Sequence, residues 1–307
     1  MAIVGATASG KTSVSLELAR ILNCEIISAD SRQIYQYLDI GTAKPSQLEL
    51  ERCIHHFINI LTPDIDYSAG KFAVEATNTI HQLISNQKVP LIVGGSGLYV
   101  RALCEGIFSE PTSEDSSEIR NQLESRLQLL GKQLLYEELQ RVDRLSAEKY
   151  ADKNPRRIIR ALEFYYSTGI PFSQAQHENK TSEIPFRTLY FGIEHSREDL
   201  YNRINVRCED MWRDGLVQET ESILATGYSP TLNSLNTVGY KEAIQYLSGK
   251  ISEKEALAAM QQSTRNYAKR QLTWCRKMDQ IQWLGGSSVE IAEMIAEHFT
   301  QLQSKDL

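Results

Sequence analysis

Short apolar runs alternate with amphipathic stretches over the first hundred residues of the chain. The apolar runs, which have the length of buried strands, are Ile3-Val4, residues 25–29 and residues 89–93. The amphipathic stretches, which place apolar side chains at helical spacing, are residues 13–22, 72–85 and 98–104. Strands that alternate with helices predict a parallel α/β sheet with helices on both faces.

The pattern changes after Gly106 and changes back near Leu189. Residues 108–117 are polar and acidic and predict a linker. Helical periodicity follows at residues 119–130, 133–140 and 155–167. Leu189 to Ile193 is strand-like again, so we expect the chain to return to the sheet there. Further helices are predicted at residues 200–211, 217–225, 240–248, 253–274 and 289–299.

These elements predict two domains. Residues 1–111 and 187–307 form an α/β core that ends in helices, and residues 112–186 form an all-helical insertion. The first predicted strand, Ile3-Val4, is shorter than the strand that normally precedes such a core. We therefore expect the native protein to begin a few residues upstream.

Composition is that of a soluble globular protein. Of the 307 residues, 41% are hydrophobic and 23% are charged. No apolar run approaches the roughly 18 residues that a membrane span needs. The five cysteines form no zinc pattern, and no signal-peptide pattern precedes Ile3. We therefore expect a cytoplasmic protein with no membrane partner, and a monomer.

The net charge of −6 conceals a segregation of charge along the chain. Acidic residues are concentrated between residues 105 and 118, whereas residues 153–160 and 265–277 are basic. Binding of nucleic acid depends on local patches, so the negative average does not exclude a nucleic-acid partner.

The residues after the first strand match a phosphate-binding pattern. Gly5-Ala6-Thr7-Ala8-Ser9-Gly10-Lys11-Thr12 fits G-x-x-x-x-G-K-[ST]. The backbone N–H groups of such a loop form an anion site at a helix N-terminus, where the helix dipole also favours anions. Lys11 would contact the terminal phosphate, and the Thr12 hydroxyl is a ligand for Mg²⁺. We predict that these residues bind a diphosphate or nucleotide, with Mg²⁺ as cofactor.

The acid that P-loop kinases and ATPases use to hold Mg²⁺ is missing from its usual place. Residues 91–93 run into Gly94-Gly95-Ser96-Gly97 without an acid, whereas Asp30 follows the second predicted strand. A carboxylate there lies at the carboxyl edge of the sheet, where ligands bind. Asp30 can be a general base, a metal partner or merely a loop residue. Ser96 can bind substrate or cap the following helix.

Two predicted helices carry basic stripes. Asn154-Pro155 begins the first with a cap residue and an N1 proline, and Arg156, Arg157 and Arg160 share one of its faces. The second carries Arg265, Lys269, Arg270, Arg276 and Lys277. One such stripe is typical of a solvated surface, but two favour binding of a phosphate backbone. Trp274, within the second stripe, is better explained by core packing than by base stacking.

Three arginines follow the returning strand, at Arg197, Arg203 and Arg207. Neighbouring acids offer them surface ion pairs, which is the ordinary explanation for such a cluster. Beside a P-loop they can instead neutralise a leaving diphosphate.

Taken together, the motifs resemble those of the tRNA dimethylallyltransferases, also called tRNA isopentenyltransferases. The matching segments occur in family order over nearly the whole chain. They are Gly5 to Thr12, Asp30-Ser31-Arg32-Gln33-Ile34-Tyr35, Asp39-Ile40-Gly41-Thr42-Ala43-Lys44-Pro45, Val93-Gly94-Gly95-Ser96-Gly97-Leu98-Tyr99, Asn154-Pro155-Arg156-Arg157, Val238-Gly239-Tyr240-Lys241 and Lys269-Arg270-Gln271-Leu272-Thr273-Trp274. The Asp30 and Asp39 segments together are far more specific than the P-loop.

The resemblance implies an activity and a set of reacting groups. A dimethylallyl group passes from dimethylallyl diphosphate to N6 of the adenosine 3′-adjacent to the anticodon of a tRNA, and diphosphate is released. The P-loop then holds a leaving group instead of ATP, which accounts for the missing acid. Asp30 is implied as the base for the N6 proton. The other implied catalytic residues are Lys11, Thr12, Ser96 and Arg203.

The resemblance also implies which residues face tRNA, and it makes the helical insertion the tRNA-gripping domain. The implied tRNA contacts, made to the anticodon stem-loop, are Asp30, Ser31, Arg32, Gln33, Ser96, Arg120, Arg156, Arg157, Ile158, Ile159, Arg160, Asn236, Thr237, Val238, Gly239, Tyr240, Lys241, Lys269, Arg270, Gln271, Trp274 and Arg276.

Three other functions compete with this interpretation. An adenylate isopentenyltransferase shares the P-loop and the acid at Asp30, but it has less need of two basic helices. A P-loop small-molecule kinase would transfer a phosphoryl group and leaves those helices unexplained. An RNA-binding module with a vestigial nucleotide site has no need of intact Lys11, Thr12 and Asp30.

Overall fold

The structure is a computed structural model that describes residues 1–106, 116–178 and 186–304. Most of the predicted linker, residues 108–115, lies outside the described residues. The chain divides into two compact units, one made of Met1–Cys104 and Phe186–Leu307, the other of Glu105–Pro185.

The first unit contains a single parallel sheet. Its strands, within the described residues, are β1 (Ala2–Val4), β2 (Cys24–Ser28), β3 (His55–His56), β4 (Val89–Gly94), β5 (Tyr190–Ile193) and β6 (Ile281–Leu284). They lie in the order β3-β2-β4-β1-β5-β6, and every neighbouring pair is parallel. The predicted α/β class with a parallel sheet is confirmed. β3 and β6 were not predicted, because runs of two and four residues carry too little periodicity.

Helices join these strands and extend the chain beyond them. In the described part of this unit they are α1 (Lys11–Leu22), α2 (Gln47–Arg52), α3 (Ala69–Ser85), α4 (Gly97–Cys104), α9 (Arg197–Arg213), α10 (Leu216–Ala225), α11 (Tyr240–Leu247), α12 (Glu253–Cys275) and α13 (Ser288–Gln303), with α5 to α8 in the other unit. Ile3, Ile26 and Leu91 pack on α1 and α13. The alternate residues Val4 and Ile92 are buried on the other face, where α3 and α4 contact β4. Burial of both faces explains why the strands are continuous apolar runs.

The second unit is helical throughout its described residues. It contains α5 (Ser116–Val142), α6 (Arg144–Lys149), α7 (Pro155–Thr168) and α8 (Phe172–Glu178). Two helical segments of α5 meet at Gly131, whose φ of 78° interrupts the helix. This interruption lies between the two helices that were predicted at residues 119–130 and 133–140. Leu135, Leu139 and Leu162 are among the residues of its core.

No helix in the described part of the chain is long and apolar enough to cross a membrane.

Gly94 at the end of β4 has no room for a side chain. A Cβ there would lie 2.2 Å from the carbonyl oxygen of Ala29 and 2.5 Å from its carbonyl carbon, so backbone would have to move. We expect Gly94→Ala to lower the free energy of unfolding by about 3 kcal/mol. That corresponds to a fall in the thermal midpoint of about 6–12 °C.

Differential scanning calorimetry measures this effect. Gly285→Ala is the matched control, because a Cβ at Gly285 meets nothing within 4 Å. We expect the thermal midpoint of Gly94→Ala to lie clearly below that of Gly285→Ala. Equal midpoints would show that the space between Gly94 and Ala29 accommodates a methyl group.

Candidate active site

The loop between β1 and α1 is wrapped tightly around the start of the helix. Gly5 and Gly10 have φ values of 145° and 92°, and Ala8 has a φ of 63°. Positive φ at these positions turns successive peptide planes, which gives the concave run of N–H groups that holds an anion. Ser9 Oγ within the loop is a buried hydroxyl that has no hydrogen-bond partner among the described residues. The loop therefore has the backbone geometry predicted for a phosphate site.

Three basic side chains hold the carbonyl groups of this loop. Lys11 Nζ donates to the carbonyl oxygens of Gly5 (3.2 Å) and Ala6 (2.6 Å). Arg203 Nε donates to Ala8 O at 2.8 Å. His195 Nε2 lies 2.8 Å from Ser9 O, so that nitrogen carries the hydrogen. The loop is thus surrounded by donors that suit a diphosphate.

The electrostatics beside the loop favour an anionic ligand. Burial, together with the smaller effect of the nearby Arg207, lowers the pKa of Lys11 to about 8, and Asp30 acts in the opposite sense. Burial also lowers the pKa of Arg207, again opposed by Asp30. Among the described residues, no ion pair within 4 Å joins Arg203 or Arg207 to a carboxylate. Excess positive charge on cations that include the half-buried Lys11 and Arg207 is the arrangement expected of a functional anion site.

Asp30 lies at the carboxyl edge of the sheet and is held in a tight turn. Its Oδ1 accepts hydrogen bonds from the backbone N–H groups of Arg32 (2.8 Å) and Gln33 (3.4 Å). The N–H of Ser31 donates to Ser96 Oγ at 3.0 Å, and the two serine hydroxyls lie 3.3 Å apart. The segments after β2 and β4 therefore meet.

Tyr267 on α12 completes this cluster. Burial and the Asp30 carboxylate raise its pKa to about 12, while a hydrogen bond with Ser96 acts in the opposite sense. Tyr267 therefore remains a neutral phenol next to the proposed base.

Arg32 and Gln33 use their side chains within the protein. Arg32 Nη1 donates to Asn233 O at 2.7 Å. Gln33 accepts from the Ser28 hydroxyl (3.1 Å) and donates to the carbonyl oxygens of Thr42 and Ala43. Both residues were predicted to contact tRNA, and both anchor the Asp30 turn.

The Asp39 and Val238 motifs pack together around Glu219. This carboxylate accepts hydrogen bonds from the N–H groups of Asp39, Ile40 and Gly41 and from the Tyr240 hydroxyl. Tyr240 is fully buried against Gly41, where a Cβ would lie 2.4 Å from its ring. The Tyr240 ring therefore belongs to the core. The tRNA contact expected of its segment stays a prediction.

The rest of that segment differs in exposure. Asn236 is exposed, and Thr237, Val238 and Lys241 are half-buried. Gly239 is buried and its N–H donates to Glu242.

In the helical unit, α7 presents arginines and buries isoleucines. Arg156, Arg157 and Arg160 are exposed, but Ile158 and Ile159 pack in the core of that unit. Ile158 and Ile159 are therefore on the buried face of the helix. A motif marks a segment without distinguishing the faces of its helix. The tRNA contact expected of this segment stays a prediction.

Arg120 and Arg160 converge on one carboxylate in this unit. Their Nη1 atoms lie 4.0 and 3.5 Å from Glu163 Oε2. Two predicted tRNA contacts that are far apart in sequence are thereby brought side by side.

The second basic helix, α12, also has two faces. Lys269, Arg270 and Arg276 are exposed, as a binding stripe requires, whereas Gln271 is buried. Trp274 lies against Gly97, where a Cβ would come within 2.5 Å of its ring. This contact explains Trp274 as a packing residue.

Sequence reasoning did not assign site roles to His195 or Tyr267, and it named Arg207 only as one of three arginines able to neutralise a diphosphate. Arg207 has a signal in its spacing, because it lies four positions after Arg203 on the same face of α9. Arg197 does not join them and stacks over the Tyr201 ring at 5.1 Å. His195 and Tyr267 carry no motif, and only the fold brings them to the loop.

The Thr12 hydroxyl beside the loop fits a ligand of Mg²⁺ that is bound together with a diphosphate. Thr12 begins the first turn of α1, where its hydroxyl is half-buried. Across residues 1–106, 116–178 and 186–304, no cluster of three or more His, Cys, Asp or Glu side chains is able to hold a metal. Mg²⁺ commonly keeps several waters and is held by few protein groups plus substrate phosphates. A single hydroxyl beside a phosphate loop is compatible with that mode.

Comparison with known proteins identifies the family. The family model described as IPP transferase matches residues 33–278. The tRNA dimethylallyltransferase 2 of Geotalea uraniireducens is 42% identical over 282 residues, which cover 92% of this chain and 90% of that protein.

Two solved structures are similar over most of the chain. The tRNA delta(2)-isopentenylpyrophosphate transferase of Staphylococcus epidermidis is 37% identical, with a TM-score of 0.69, and the match covers 100% of this chain and 98% of that one. A eukaryotic dimethylallyltransferase that acts on tRNA is 28% identical, with a TM-score of 0.78 over 92% of this chain and 73% of that one. The family model, the sequence identity and the fold together show that this chain belongs to the IPP transferase family.

Proposed function

We propose that this protein transfers a dimethylallyl group from dimethylallyl diphosphate to N6 of the adenosine 3′-adjacent to the anticodon in tRNA, and releases diphosphate. The observation that carries the proposal is the pairing of a cation-rich phosphate loop with Asp30 in place of an ATPase acid. The names of its relatives point to the same reaction.

The chemistry follows from the groups at the two loops. The C–O bond between the allyl carbon and the diphosphate breaks, and a C–N bond to N6 forms. Lys11, Arg203 and the loop N–H groups stabilise the negative charge that develops on the diphosphate oxygens. Mg²⁺, when bound through Thr12 and the diphosphate, would supply further positive charge. Asp30 accepts the N6 proton, which an exocyclic amine must lose to become neutral again.

The exposed arginines and lysines of α7 and α12 are proposed to contact tRNA phosphates. These basic residues are exposed, whereas other residues of each helix are buried. Such contacts position a polynucleotide without reading its sequence. The adenine must leave its stack to react, and a base in a single-stranded loop does so at the least cost.

A labelled-substrate assay tests the proposal. Dimethylallyl diphosphate labelled in the allyl group is supplied with unmodified tRNA, with AMP, or with neither. We expect label in tRNA alone, on the adenosine that follows the anticodon. Label that enters AMP but not tRNA would make the protein an adenylate isopentenyltransferase. Phosphoryl transfer from ATP without any prenyl transfer would favour a kinase.

A further inference from the structure

Gln271 on α12 joins the phosphate loop to the turn after β4. Its Oε1 accepts a hydrogen bond from the Thr7 N–H at 2.8 Å, and its Nε2 donates to Gly95 O at 2.9 Å. The residue is only 6% exposed. Both ends of a buried carboxamide are therefore bonded to backbone, one end to each of the two loops that form the site.

The fit around this carboxamide is close. A Cβ at Gly95 would lie 2.1 Å from Gln271 Nε2 and 3.1 Å from Gly5 O. The side chain of Gln271 thus occupies the space that a larger residue at position 95 would need. Because buried amide groups are costly to leave unpaired, the three segments hold one another in a fixed arrangement.

The Gln271 side chain differs from those of its basic neighbours in exposure and in direction. Lys269 and Arg270 on the same helix are exposed, whereas Gln271 points to the loops. Motif resemblance groups these residues as tRNA contacts, but the side chain of Gln271 is buried and bonded within the protein.

We propose that Gln271 is a positioning residue for the diphosphate, acting through the phosphate loop, and not a tRNA contact. The proposal rests on the proposed function for the identity of the diphosphate substrate. By holding the Thr7 N–H, Gln271 fixes the first part of the loop, and the N–H groups that follow it remain oriented toward the ligand. Preorganised donors bind an anion more tightly than donors that must first be ordered.

The experiment compares two Gln→Met substitutions on the same helix. Gln271→Met keeps the volume but removes both hydrogen bonds. Gln261→Met is the matched control, because Gln261 bonds to Asn205 O and Glu209 on α9 and not to the loops. The probes are inorganic pyrophosphate with Mg²⁺, measured by calorimetry, and unmodified tRNA without diphosphate, measured by filter binding.

We expect the pyrophosphate Kd of Gln271→Met to rise about tenfold. Its tRNA Kd should remain within about twofold of the parent value, and Gln261→Met should match the parent in both measurements. With dimethylallyl diphosphate, KM should rise with the pyrophosphate Kd, and kcat should change less. A purely structural role would instead lower the active fraction and leave KM and Kd unchanged.

Two results would overturn the proposal. One is an unchanged pyrophosphate Kd in folded Gln271→Met, and the other is a loss of tRNA affinity alone. If Gln271→Met does not fold, Gln271→Asn replaces it, since its amide is one methylene shorter and cannot keep the bonds to both Thr7 N–H and Gly95 O. Parent-like pyrophosphate binding by that variant would overturn the proposal equally. Failure of the proposed function would appear as absent prenyl transfer by the parent protein, whatever the pyrophosphate Kd values are.

Discussion

Replacing Asp30 by asparagine is expected to lower the rate of prenyl transfer about 10³-fold while tRNA binding remains intact. The amide oxygen of asparagine can still accept the hydrogen bonds that Asp30 Oδ1 receives from Arg32 and Gln33. The turn should therefore persist. What the variant loses is a group able to accept the N6 proton, and a positioned base accounts for about 10²–10⁴-fold in rate.

Single-turnover assays with saturating tRNA measure the effect, and filter binding measures the tRNA Kd. Asp64→Asn serves as the control, because Asp64 is an exposed acid outside the cluster of Asp30, Ser96 and Tyr267. Turnover of Asp30→Asn at the parent rate would remove Asp30 from the role of base. A parallel loss of tRNA affinity would instead make it a binding residue.

Replacing Lys11 by methionine is expected to lower kcat/KM for dimethylallyl diphosphate about 100-fold. In this structure the Lys11 side chain is half-buried, and its ammonium group is bonded to the carbonyl groups of Gly5 and Ala6, beside the half-buried Arg207. A diphosphate would add negative charge to that of Asp30, the carboxylate of the described residues that acts on both cations. Methionine keeps the length of the side chain and removes its charge. A kcat/KM within about threefold of the parent value would show that the loop N–H groups and Arg203 are sufficient.

The lowered pKa of Lys11 also predicts how diphosphate binding depends on pH. Because its pKa is about 8, the side chain is charged below that pH and becomes neutral as the pH rises through it. Affinity for diphosphate should therefore be greatest below about pH 8 and fall by up to about tenfold per pH unit above it. Lys11→Arg keeps its charge, so its pyrophosphate Kd should lack this fall. The ratio of the two Kd values cancels the titration of the ligand. A constant ratio from about pH 7 to 9.5 would contradict the prediction.

The elements that sequence predicted best are those whose signal is local. The phosphate loop is one contiguous pattern that needs its own glycines, lysine and threonine. The apolar runs at β2 and β4 are continuous because both faces of the sheet are covered. Asp30 could be placed at the site because parallel strands end at the same edge of a sheet.

Sequence patterns did not reveal which side of each motif is buried. Tyr240, Ile158 and Ile159 lie inside segments that resemble tRNA-binding motifs, yet their side chains belong to cores. Burial depends on what packs against a segment, and that partner is distant in the chain. For Tyr240, the partner is Gly41 in another motif. His195 and Tyr267 were not predicted for the same reason, because only tertiary packing brings them to the site.

The position of β1 in the sheet has a consequence for synthesis of the chain. This strand is synthesised before both strands that flank it, β4 and β5, and Ala2 pairs with Tyr190. At about 5–20 residues per second, translation takes roughly ten to forty seconds to reach that partner. Until then one edge of β1 is unpaired, and the nascent chain needs protection from edge-to-edge association. The phosphate loop is thus made early but gains its contacts with His195 and Arg203 only after most of the chain has been synthesised.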